Sequence, residues 1–311
     1  MDAQAVAEAY GLGQAVSLSD PVARGELGEV RRLETARGTW AVKTPLAAWT
    51  AEDTQGLEAS SGFQRRCWAA GVPTPEPVPT TSGYVADVDG EQMVVHGWAH
   101  LDDPDTGLDP AAVGPLVAQL HRVDHPWPTA TVDPWFEAPI GGAEWKGALK
   151  ASRGAGAPYA DRLAVVLPAL IEVEQVLTPM RPVRTCHLDL WADNLRRCAG
   201  RPFVIDFDNA GPGDPAREIA MVVFEFGQGD PGRQRALYDA YVDAGGPGRV
   251  HDRDALALTV AQLHHIGHRH LTMWLAARDP EARARSRAGV EEFLGEPLIL
   301  SGVDAIVAAL A

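Results

Sequence analysis

The feature that most limits what this 311-residue chain can fold into is a change of hydrophobic period near Trp98. Before it, AVSL from residue 15, EVRRLET from 29 and TWAVK from 39 are short β-prone runs separated by glycine-bearing turns. One helix interrupts them. Thr50 and Asp53 have capping-box spacing, Ala59, Phe63, Cys67 and Ala70 recur at helical intervals, and Gly71, Pro73, Pro75 and Pro77 stop the run. Asp89-Gly90 then predicts a type I′ hairpin within residues 84–98. After a polar connector, Asp109 and Pro110 open a helix as N-cap and N1. From about 144 to the end helical patterns dominate, except for short strands and a loop over 183–208. The expectation is an α+β, two-lobed chain, with a β-rich N-terminal lobe over 1–97 and a mainly helical C-terminal lobe over 98–311.

Composition narrows the function. Hydrophobic residues make up 46% and charged residues 22%, an ordinary globular balance that excludes disorder as the dominant state. The net charge of −15 repels phosphate backbones, so nucleic acid is not the expected partner, and a cationic small molecule would be favoured near the surface. The 3 cysteines form no CxxC pair, which fits a reducing compartment. No apolar stretch is long enough to span a bilayer and no signal peptide is evident, so a cytoplasmic protein without a membrane partner is expected.

The chemistry concentrates in CHLDLWADNLRRCAGRPFVIDFD. His187, Asp189 and Asn194 are followed by the apolar run Phe203-Val204-Ile205 ending in Asp206. Asp189 can accept a hydrogen bond from a hydroxyl and aim it at phosphorus. Asn194 and Asp206 offer a neutral and a charged oxygen to one hard cation. Gly213-Asp214-Pro215 follows, with Asp214 placed to cap a helix.

Taken together, these motifs resemble the catalytic core of the aminoglycoside phosphotransferase and choline kinase family, which shares the protein-kinase-like fold. The resemblance implies Asp189 as catalytic carboxylate and Asn194 and Asp206 as Mg²⁺ ligands. It also implies ATP or GTP as donor and a small-molecule hydroxyl as acceptor. Lys43, ending a β-prone run, resembles the fold's nucleotide-binding lysine, and Glu58 on the next helix matches its ion-pair partner. The turn from Arg24 to Gly28 would place Gly25 and Gly28 over phosphates, and residues 93–98, with Met93 and Val95, would form the hinge holding the base. Three residues depart from the family pattern: Leu188 replaces its usual glycine, and Leu190 and Trp191 stand where histidine is common. An aminoglycoside or related amino-bearing alcohol is the expected acceptor. A metabolite kinase for an amino sugar, sugar or choline-like alcohol is the alternative, and a catalytically silent nucleotide-binding scaffold is the alternative outside enzymes.

Overall fold

The computed structural model describes residues 1–25, 28–128 and 131–311. Its N-terminal part is a five-stranded antiparallel sheet in the order β1-β2-β3-β5-β4. The strands are β1 (Ala15–Arg24), β2 (Gly28–Thr35), β3 (Gly38–Pro45), β4 (Ala86–Val88) and β5 (Glu91–Gly97). The β4–β5 turn has both Asp89 and Gly90 at positive φ, 55° and 83°, as its residue types require. A short helix, α1 (Ala3–Ala9), covers one sheet face, where Val6, Ala7 and Tyr10 join Leu33, Val42, Met93 and Val95 in a core. Sequence reasoning did not anticipate this helix. The Tyr10 hydroxyl donates to the Met93 carbonyl at 2.7 Å, tying it to the sheet.

Helix α2 (Ala51–Ala69) starts at the capping box, with Thr50 and Asp53 satisfying each other's backbone N–H groups. Its buried Phe63 and Cys67 belong to the large core of the helical part rather than to the sheet's own core.

The helical part contains α3 (Pro110–His121), α4 (Gly142–Gly154), α5 (Ala160–Val173), α6 (Pro215–Gly227), α7 (Pro231–Asp243), α8 (Ala257–Ala276), α9 (Pro280–Phe293) and α10 (Leu300–Leu310). Aspartates cap α3 and α6 with proline at N1, as Asp109-Pro110 and Asp214-Pro215 predict. Helix α3 lies directly on α7. A Cβ at Gly114 would come within 2.7 Å of the Leu237 carbonyl oxygen, so only glycine fits there. No helix among the described residues is long and apolar enough to cross a membrane.

Two small antiparallel pairs hold the loops that matter. Strand β6 (Arg184–Cys186) pairs with β9 (Gly211–Gly213), and β7 (Leu195–Cys198) forms a hairpin with β8 (Arg201–Val204). The β7–β8 register puts Leu195 opposite Val204, and the Ile205 N–H donates to the Asn194 carbonyl at 2.9 Å. The loop entering β7 and the loop leaving β8 are therefore neighbours, which explains why Asn194 and Asp206 can share a site from separate segments.

Candidate active site

A cavity of about 480 Å³ lies between the sheet and the helical part. Val30 and Ala41 form its upper wall, Leu101 and Ile205 its lower wall, and His96 to Ala99 its back. Strand β3 runs between β2 and β5, with Val30 opposite Lys43, and Val94 opposite Lys43 in turn. A strand alternates sides every residue, so Lys43 and Ala41 face the cavity while Val42 faces α1.

The same alternation corrects one expectation. Met93 and Val95 point away from the cleft into the sheet's core, with 0% and 1% exposure. His96, one residue on, lines the cavity with Gly97 and Trp98. His96 is held by the Gln64 amide oxygen at 3.1 Å, and burial followed by the Lys43 charge pulls its pKa down to about 4, so the ring is neutral.

Lys43 brings a second correction. Its ammonium bonds Asp206 Oδ1 and Asp208 Oδ2, each at 2.7 Å, not Glu58. Burial alone would lower the lysine's pKa, but the Asp208 and Asp206 charges reverse that and raise it. Glu58 instead accepts the backbone N–H groups of Tyr84 and Val85, at 2.8–2.9 Å and 2.8 Å. A Cβ at Gly83 would fall 2.4 Å from that carboxylate, so the glycine is what admits it. The loop supplies two fixed donors, and a carboxylate satisfied by amides has no need of the lysine.

Gly25 and Gly28 flank the β1–β2 turn. The Gly25 N–H donates to the Gly28 carbonyl at 2.9 Å, and a Cβ at Gly28 would lie 2.7 Å from the Thr44 carbonyl oxygen. Neither lines the cavity described above. Glu26 and Leu27 of that turn lie outside the described residues.

Asp189 sits at the mouth of the loop between β6 and β7. Its Oδ2 accepts from the Asn194 side-chain amide at 2.8 Å and from the Asn209 amide at 3.0 Å. The Asn194 amide also reaches the Asp189 carbonyl at 3.0 Å. Burial lifts the Asp189 carboxyl to about 6, against the opposing hydrogen bond from Asn209.

Beneath this loop is a buried polar layer. His187 donates through Nε2 to the Ile205 carbonyl at 3.0 Å, and burial lowers its pKa, which makes it a brace between the two loops. Leu188 takes φ 64°, a conformation that suits glycine, yet its side chain is buried. The strained backbone is fixed at both ends: the Leu188 N–H donates to Glu218 and its carbonyl accepts from Gln262. Glu218, fully buried, also accepts from the His187 N–H at 3.3 Å and from His121 Nε2 at 2.6 Å. The Tyr241 hydroxyl accepts from the Gly248 N–H at 2.8 Å and pairs with His121 Nδ1 at 2.8 Å, which holds the ring with Nε2 toward Glu218. Burial pushes the Glu218 carboxyl up, but His121 and the loop amides outweigh it and the net direction is down. Gln262 and Tyr241 carry no signal in the sequence because each acts from a distant segment, and Asn209 because an asparagine after Asp206 has no pattern of its own.

Trp191 rests edge-on against Phe224, at 6.3 Å between ring centroids, and its indole N–H donates to Gln262 at 2.9 Å. Beside it, Glu225 accepts the Ala192 N–H at 3.2 Å. Burial raises the Glu225 carboxyl against the Ala192 hydrogen bond, and the charges of Asp193 and Glu292 add to the rise. Trp145 is wholly buried in a separate core.

The donor set fits a hard divalent cation. Asp206 and Asp208 share the Lys43 ammonium, and the Asn194 amide nitrogen is turned to Asp189, which frees its oxygen for the opposite side.

A cleft between a β-sheet and a helical part, lined by Lys43, Asp206 and Asp208, with Asp189 held on the loop between β6 and β7, defines a small-molecule phosphotransferase of protein-kinase-like fold. The chain belongs to the phosphotransferase enzyme family, whose sequence model matches residues 20–257. Solved structures agree in fold. A spectinomycin phosphotransferase crystallised with ADP and spectinomycin is similar at TM-score 0.62 and 13% identity, over 95% of this chain and 92% of that one. An aminoglycoside phosphotransferase from Alicyclobacillus acidocaldarius gives TM-score 0.62 and 15% identity over 97% and 94%. A choline kinase from Streptococcus pneumoniae gives 0.57 and 14% over 93% and 97%. No curated protein matches the sequence.

Proposed function

We propose that this enzyme transfers the γ-phosphoryl group of ATP or GTP to a hydroxyl of a small amine-bearing molecule. The observation that carries the reading is the Asp189 carboxylate, clamped by Asn194 beside the Lys43–Asp206–Asp208 cluster. The base of the nucleotide would lie between Val30 and Ala41 above and Leu101 and Ile205 below, against the back wall at His96–Ala99. The ADP found with the spectinomycin enzyme supports an adenine nucleotide as donor.

Lys43 would leave the aspartates for the α- and β-phosphates as these enter, exchanging one set of anionic oxygens for another. Asn194 and Asp206 would hold Mg²⁺, which supplies neutralisation of phosphate charge in a loose transition state. Asp189 would accept the acceptor hydroxyl's hydrogen bond, aim its lone pair along the transfer axis, and take the proton late. Glu225, which holds the Ala192 N–H beside Trp191, and the charges of Asp193 and Glu292 that act on it would attract a protonated amine to that side of the loop. Spectinomycin and choline, named for two similar structures, are both alcohols that carry cationic nitrogen.

The test is coupled nucleoside-diphosphate release with Mg-ATP and Mg-GTP against aminoglycosides, amino sugars, choline and homoserine. Asp189→Asn should lower turnover by about 10²–10⁴-fold with little change in nucleotide affinity. Asp206→Ala should abolish turnover and also weaken Mg-nucleotide binding. Near wild-type kcat in Asp189→Asn would overturn the assignment.

A further inference from the structure

Both amide donors on Asp189 reach one oxygen. Asn194 Nδ2 and Asn209 Nδ2 meet at Oδ2, at 2.8 and 3.0 Å, and among the described residues no hydrogen bond reaches Oδ1. The two donors have different origins. Asn194 belongs to the same loop as Asp189, so the contact is local. Asn209 closes the short 3₁₀ turn Phe207–Asn209 that follows Asp206. That turn is launched by the left-handed conformation of Asp206, φ 60°, and it carries Asp208, the second partner of Lys43.

The terminal torsion of an aspartate is broad and nearly two-fold. One donor leaves the carboxylate plane free to swing about the single contact. Two donors from different directions on one oxygen fix the plane and decide which oxygen stays open. A base that must meet a hydroxyl in line with a phosphorus gains from that restriction, since a displacement of about 1 Å can cost about 10²-fold in rate.

We propose that Asn209 is a positioning residue for Asp189: together with Asn194 it occupies Oδ2, leaves Oδ1 as the oxygen that meets the acceptor hydroxyl, and ties the orientation of the carboxylate to the turn bearing Asp206 and Asp208. The proposal rests on the reading of Asp189 as the catalytic carboxylate. Asn209 is exposed at the cleft and packs into no core, so its replacement leaves the fold in place.

The experiment is a double-mutant cycle on Asp189 and Asn209, read in single-turnover and steady-state phosphoryl transfer to the best acceptor of the panel, or to water where no acceptor turns over. Asn209→Ala should lower kcat about tenfold and leave the acceptor KM within about threefold, the pattern of an interaction realised in the transition state. Asn209→Gln, which keeps a donor, should recover part of the loss, and the isosteric Asn209→Asp should not. In an Asp189→Asn background, Asn209→Ala should cost nothing further, because there is no base left to orient. An equal loss in both backgrounds, or a loss carried by KM, overturns the proposal. Wild-type activity in Asp189→Asn itself overturns the reading of the site instead, so the two failures are distinguishable.

Discussion

Lys43 and Glu218 are both charged groups within reach of the loops around Asp189 and Asp206, and their surroundings differ. Lys43 projects from β3 into an open cleft, where its partners Asp206 and Asp208 keep side-chain exposures of 41% and 35%. Glu218 is sealed, with both oxygens occupied by His121, His187 and Leu188. An ion pair in an open cleft can be exchanged for a ligand's charges at little cost. A buried carboxylate with three donors cannot be released without leaving an unpaired charge in the interior. The layer beneath the loop therefore fixes backbone geometry, and the wall above it remains free to rearrange around an anionic substrate.

The largest expected effect comes from breaking the buried layer. Glu218→Ala strands three donors and should destabilise the fold by about 3–5 kcal/mol. That lowers Tm by on the order of 10 °C in a chain of this size, which scanning calorimetry would register. A shift of only a degree or two would erase the distinction between the two regions. Leu188→Gly comes next. It relieves a left-handed conformation but removes a buried side chain, and the second effect is larger, so a net loss of about 2 kcal/mol in denaturant unfolding is expected. A stabilised variant would mean that strain, not packing, dominates there.

A smaller effect concerns pH. The base role proposed for Asp189 requires its ionised form, and its carboxyl is raised to about 6. The sign follows directly: kcat/KM should be flat above that value and fall about tenfold per unit below it. This acid limb should be missing from the residual activity of Asp189→Asn. A wild-type limb near the ordinary aspartate value of about 4 would place the carboxylate in a wetter site. The smallest effect distinguishes the two ends of the expected lysine pair. Glu58→Gln should cost under about 1 kcal/mol of stability and leave nucleotide affinity within about twofold, whereas Lys43→Met should weaken it at least tenfold. Equal losses would show that Glu58 joins Lys43 once nucleotide binds.

Much of this was legible beforehand because it is local. The capping box at Thr50, the Asp89-Gly90 turn and the aspartate-proline starts of α3 and α6 depend on residues within a few positions of each other. So does the approach of Asn194 to Asp206, since one hairpin joins them. The errors arose where one step along a strand, or one long-range contact, decides the outcome. Met93 and Val95 are adjacent to His96, yet strand alternation turns them to the opposite face. Glu58 stands on the expected helix, but the Tyr84–Val85 amides, 26 and 27 residues away, claim its carboxylate.

The sequence by itself determined the division between sheet and helices, the turn and cap positions, and the order of Lys43, Asp189, Asn194 and Asp206 along the chain. These follow from backbone preference and short-range hydrogen bonding. Only the tertiary structure decided which oxygen of Asp189 stays open, which carboxylates hold Lys43, and what locks Leu188 in a left-handed conformation. Each of those depends on donors from distant segments arriving within about 3 Å, and no local pattern encodes such a distance.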